Sequence, residues 1–239
     1  MEPENTIPTV PQSADNKGLS FRGLVEVFYK PSAFFDQLKD RPKVLIPYIV
    51  FAILLFVFFA LAVDIVYDMQ VNSPQFQAQM QGQPLTPQIE QIMKYQILIG
   101  GPVVILLVPL VAALLGLFWG NFVFAGKAHF KQLLSVMLYG EIIYGLGMMV
   151  VLPMVLAKKS ILVSLSLGVL AASQGPDSIL YLALSKIDLF LIWELIAIGI
   201  GLSIVYGIPR NKGYTLSVLS MGMISILHVV LSAIGKLIF

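Results

Sequence analysis

The sequence predicts an all-α, polytopic membrane protein, and three observations carry that reading. Of its 239 residues, 58% are hydrophobic and only 12% charged, where a soluble domain carries about a quarter charged. Mean hydropathy is +0.88. Five apolar stretches, 44–66, 97–123, 133–156, 187–207 and 214–238, are each long enough to cross a ~30 Å hydrocarbon core as a helix.

Residues 1–18 are rich in Pro, Glu, Asn and Ser, the composition of a disordered tail. Residues 19–43 read as an amphipathic segment. Phe21, Leu24, Val25 and Phe28 recur at helical spacing, and Arg22, Glu26 and Lys30 fall on another face. Pro31 ends that helix, and Ser32 is placed to cap a second one carrying Phe34, Phe35 and Leu38. Such a segment either lies in the membrane interface or packs as a small cytosolic cap on the loops; the pattern is compatible with both.

The membrane domain occupies 44–239. Between the first two spans runs a glutamine-rich connection, in which Ser73-Pro74 and Thr86-Pro87 each look like a helix start. Pro109 is expected to kink the second span, and Gly116 and Gly120 have the spacing that lets another helix approach closely. The stretch 160–173 is apolar but too short to span, so a re-entrant or interfacial segment is expected there. Gly199, in the fourth span, is a further packing position.

Five spans put the termini on opposite sides. Placing the N-terminus in the cytoplasm sets eight basic residues inside (Lys30, Lys39, Arg41, Lys43, Lys127, Lys131, Arg210, Lys212) against five outside (Lys94, Lys158, Lys159, Lys186, Lys236), the orientation the positive-inside rule favours. The opening residues are polar, so no cleavable signal peptide is expected.

Ionisable side chains inside spans are the candidates for function, because an isolated charge there is costly. They are Glu141, Glu194 and His228. At 1.5 Å per residue, Glu194 and His228 fall at about the same depth on consecutive antiparallel spans, so the two are expected to face one another. Glu141 lies nearer the cytoplasm and needs another partner, Asn121 or a tyrosine. An interhelical hydrogen bond and a proton or cation path are both open readings of this cluster. Asp64 and Asp188, near span ends, suit capping and interface anchoring.

Several chemistries are excluded. The chain has no cysteine, so disulfides and thiolate sites are absent, and two histidines make a His-rich metal site unexpected. No HExxH and no phosphate-binding glycine loop occurs. Gly201-Leu202-Ser203 with His228 is a poor serine-protease pair, since no glycine follows the serine and Ser203 falls too far toward the cytoplasm. A net charge of +2 gives no case for nucleic acid. Neither catalysis nor a cofactor is expected.

Three stretches resemble one family. Gly23 to Phe35 reads GLVEVFYKPSAFF; Trp119 to Val136 reads WGNFVFAGKAHFKQLLSV, with Trp119-Gly120 leading a Phe-Lys-Gln turn; and Asp188, Phe190, Ile192 and Trp193 precede Gly201. Their order and spacing resemble the Yip domain of Ypt/Rab-interacting membrane proteins, over most of the chain from Gly23 onward. The Asp-Leu-Tyr-Gly-Pro stretch of the eukaryotic members is missing, so the chain looks more like the bacterial branch, and a Rab-type GTPase partner is not carried over. The resemblance implies a membrane scaffold of the cytoplasmic (inner) membrane that binds lipids and other membrane proteins or itself. The alternative is a small transporter or oligomeric channel using Glu141, Glu194 and His228.

Overall fold

The computed structural model describes residues 12–81, 83–163, 165–175, 178–224, 226 and 230. Among these no strand occurs, only an isolated backbone bridge between Ser166 and Asp188.

Helix α1, Gln12–Tyr29, begins ahead of the expected start, so 12–18 belong to a helix rather than to the tail; residues 1–11 lie outside the described set. Helix α2, Pro31–Leu38, follows after one residue. Proline cannot donate a backbone hydrogen bond and pushes its predecessor out of helical geometry. The cap position therefore falls on Lys30, with Pro31 opening the helix, and Ser32 is not the cap expected of it. Its hydroxyl instead accepts from Arg210 Nη2 at 3.0 Å.

These two helices fold back onto the bundle. Val27, Phe34, Phe35 and Leu38 are buried in the main core, and burying each phenylalanine contributes roughly 1.5–3 kcal/mol. The close approach requires Gly23: a Cβ there would overlap the Phe34 ring and lie 2.7 Å from Tyr139 Cε1. Phe21, Val25 and Tyr29 form a row on the opposite, outward face and stay exposed. So the inner face of α1 behaves as a cap, and a second apolar face remains uncovered by protein.

Helix α3, Leu45–Val71, runs past the expected end of the first span. Helices α4, Pro74–Met80, and α5, Pro87–Tyr95, are capped as expected: Ser73 Oγ accepts from Phe76 N and Thr86 Oγ1 from Ile89 N. A wide π turn at Gln96–Gly100 joins α5 to α6, Gly101–Phe118, and a second one at Trp119–Val123 ends it. The helix stays continuous from Pro87 to Val123, with Pro109 inside it. Its 37 residues span about 55 Å at 1.5 Å per residue, more than a ~30 Å core needs.

Helix α7, Phe130–Lys158, is the central one; nearly every residue from Leu133 to Ile143 is buried. Its start is tied to the α2–α3 linker. Ser135 Oγ accepts from Lys43 N at 3.0 Å and donates to Lys43 O at 2.6 Å, and Gln132 Nε2 donates to Lys39 O at 2.8 Å. After Lys159, in the left-handed region at φ 48°, a 3₁₀ turn at Leu167–Gln174 pairs with the short helix α8, Ile179–Ser185. These two short elements occupy the stretch where a re-entrant or interfacial segment is expected. They are held to the bundle by Leu167 N donating to Ile187 O at 3.0 Å.

Helix α9, Leu189–Tyr206, stops at Gly207, whose φ of 63° suits a residue without a Cβ. Helix α10, Arg210–Ser217, runs into a wide turn at Val218–Gly222. Four helices among the described residues are long and apolar enough to cross a membrane: Leu45–Val71, Pro87–Val123, Phe130–Lys158 and Leu189–Tyr206. Of the expected fifth, 214–238, residues 225, 227–229 and 231–238 lie outside the described residues.

Candidate functional site

The site is the seam between α7 and α9, whose register is set by glycines. A Cβ on Gly201 would lie 2.6 Å from Val136 Cγ1, one on Gly140 2.5 Å from Ile198 Cγ1, and one on Gly147 would overlap Phe190. As the numbers rise along α7 they fall along α9, so the helices run antiparallel in close contact. Backbone approach of this kind is how membrane helices gain packing energy without a hydrophobic driving force.

Asp188 starts α9. Its Oδ1 accepts from Phe190 N at 2.9 Å and Leu191 N at 3.1 Å, the capping role its place near a span end suggested. Replacing it with alanine should lower the unfolding free energy by about 1 kcal/mol, readable as a reduced midpoint in thermal unfolding of the detergent-solubilised protein.

Both candidate carboxyl groups land in this seam. Glu194 is 0% exposed and Glu141 2%. The Glu194 Cγ lies 3.5 Å from where a Gly140 Cβ would be. Each glutamate is within range of the other's charge, and Tyr144 is within range of both. Glu194 Oε1 and Oε2 and Glu141 Oε1 have no hydrogen-bond partner among the described residues. Asn121, one suggested partner for Glu141, is engaged elsewhere: it closes the α6–α7 loop by accepting from Ala128 N at 3.3 Å and donating to Ala128 O at 3.4 Å. His228 lies outside the described residues, and so does its expected pairing with Glu194.

The other singled-out positions sit where elements cross. Trp193 meets Phe28 of α1 edge-on, with ring centroids 5.5 Å apart at 86°. Gly201 also faces Phe35 of α2. A Cβ on Gly120 would overlap the Tyr206 ring, while the Tyr206 hydroxyl donates to Gly116 O at 3.1 Å. A Cβ on Gly116 would lie 3.0 Å from Leu133 Cδ2, and one on Gly199 2.5 Å from Tyr214 Cδ1. Trp119 packs against Phe118, its buried Nε1 without a partner among the described residues. Asp64 takes a role other than capping: Lys94 Nζ bridges it and Glu90, at 2.9 Å each, and ties α3 to α5.

Sequence reasoning missed Gly140, Gly147, Gly213 and Arg210. The run GEIIYGLG at 140–147 held the signal for the first two, three small residues in one span. Arg210 carried none: it reaches back to Ile200 O at 2.9 Å and Ser203 Oγ at 2.8 Å, and across to Ser32. Ser203 is thereby engaged as an acceptor, and its own hydroxyl donates to Ile200 O at 2.7 Å. Among the described residues no group of three or more His, Cys, Asp or Glu is arranged to hold a metal ion.

A continuous helical bundle with long apolar, outward-facing helices defines a multi-pass integral membrane protein. The family model for the Yip1 domain matches residues 25–234, and the chain belongs to that family. No curated protein and no solved structure matches it.

Proposed function

We propose that this protein is a membrane scaffold that binds lipids and other membrane proteins and performs no catalysis of its own. The observation that carries this reading is the uncovered row Phe21, Val25 and Tyr29 on a helix whose other face is locked into the core. An apolar row at the end of a membrane bundle is suited to the headgroup–acyl boundary or to the apolar face of a neighbouring protein.

In this reading α10 continues as a fifth span to about residue 238, and 160–185 lies in the opposite interface, where Leu167, Val169, Leu170, Ile179 and Leu180 are exposed. The orientation is N-terminus inside the cytoplasmic membrane of a bacterium. It is supported by the bonds that gather the Lys39–Lys43 linker, the start of α7 and Arg210 at one end of the bundle. A Rab-type GTPase partner is not carried over from the resemblance. The competing reading, a transporter or oligomeric channel using Glu141, Glu194 and His228, finds less support. Of two open clefts of about 370 and 360 Å³, one is lined by α3, α5 and the wide turn after α5, the other by the α3–α4 junction and the residues after α7, and neither is lined by Glu141 or Glu194.

A photoreactive residue at Val25, compared with one at Val27, tests the proposal in native membranes. Adducts to lipid or membrane protein are expected at Val25 and none at Val27. Equal, absent labelling at both positions would overturn it.

A further inference from the structure

The scaffold reading gives Glu141 and Glu194 no task, yet both are buried in the close-packed seam between α7 and α9. We propose that the two glutamates form a buried proton-binding site, one exchangeable proton being held by the carboxyl pair between α7 and α9. Three oxygens of the pair are buried and without a hydrogen-bond partner among the described residues, and Glu194 is fully enclosed. Carboxylates taken out of water in this way are costly while ionised and unpaired, and two within range of one another repel. A proton held by the pair removes the repulsion and neutralises one of the two buried charges.

The seam favours a proton over a metal cation as the ligand. Helix α9 lies so close to α7 that a single added carbon on Gly140 would collide with Ile198 and touch the Glu194 stem. A proton needs no volume, whereas a cation needs several oxygens around it at over 2 Å. The titratable groups on the elements around the pair are few. Tyr144 on α7 and Asp188 at the start of α9 lie within range of Glu194. On α1 Arg22 pairs with Glu26 at 2.7 Å, and on α2 Lys39 pairs with Asp36 at 2.8 Å. On α3 the Tyr48 hydroxyl donates to Leu106 O, and on α10 Tyr214 packs against Gly199. Helix α6 has no titratable residue. Loss of the proton puts like charge across a seam held by close backbone contact, so occupancy of the site is coupled to how tightly α7 and α9 pack.

The test is infrared difference spectroscopy of the full chain in liposomes, titrated with pH, with glutamate carrying ¹³C at its carboxyl carbon. The expected result is a protonated-carboxyl band that exchanges slowly in D₂O, shifts with the isotope and disappears in the Glu141→Gln/Glu194→Gln double variant. Each single substitution should move the midpoint of the surviving carboxyl by about one pH unit or more, the mark of interacting sites. A slowly exchanging glutamate band that is absent from labelled wild type overturns the proposal without recourse to variants that fold poorly. A midpoint that moves with sodium or potassium at constant ionic strength assigns the site to a metal cation and overturns it as well.

Discussion

Gly213→Val is expected to pull α9 and α10 apart. The Gly213 Cβ position overlaps the Gly199 carbonyl oxygen and lies 2.6 Å from Ser203 Cβ and 3.1 Å from Ser203 N. Gly199 is constrained from the other side, where a Cβ would sit 3.0 Å from Tyr214 Cα. Backbone against backbone cannot yield by a rotamer change, so the helices must separate. That breaks the Arg210 bonds to Ile200 and Ser203 and the Ser217 Oγ donation to Leu195 O at 2.8 Å. Overpacking of this kind costs about 1–3 kcal/mol or more, visible as a fall in thermal midpoint in detergent and lower yield from membranes. Gly100 is the control. Nothing lies within 4 Å of its Cβ position, and Gly100→Ala should be neutral or stabilise by up to about 1 kcal/mol. Equal losses at both positions would show that close approach of α9 and α10 does not limit stability.

Glu194→Met should make the protein more stable. Methionine has nearly the reach of glutamate but no oxygens to leave without partners. Removing a buried polar group whose bonds are unmade recovers about 1–3 kcal/mol, and apolar replacements of buried ionic groups often stabilise for the same reason. A rise in thermal midpoint is the expected result. A fall would reveal a hydrogen-bond partner in the stretch beyond Ile224, where His228 lies. A stabilised Glu194→Met that has also lost the titrating carboxyl would show that the glutamate is kept at a cost in stability, as groups with a task commonly are.

The bundle was legible because its signals are strong and local. Runs of twenty apolar residues, the Ser73 and Thr86 hydroxyls before proline, and Asp188 before an apolar run each state an element or its start in a few neighbouring residues. The amphipathic pattern of 19–43 was legible as a helix but not in its placement. Leu24 and Phe28 pack against the core while Phe21 and Val25, on the same apolar stripe, face out, and periodicity cannot say which half of a wide stripe meets protein. Depth along a span put Glu194 level with His228, but its neighbour depends on helix rotation, set by Gly140, Gly147 and Phe190 acting between two distant segments. Asn121 and Asp64 were misread for a related reason. Each found a nearer partner, Ala128 or Lys94, through loop or helix geometry that spacing does not encode.

The most direct measurement of the account as a whole is proton and cation flux in liposomes containing the purified protein, with Glu141→Gln and Glu194→Gln beside wild type. A sealed α7–α9 seam and a scaffold role predict no flux above empty liposomes in any of the three, under pH or voltage gradients, even while the glutamate pair binds its proton. Flux in wild type that collapses in either variant would contradict the account and place that glutamate on a conduction path.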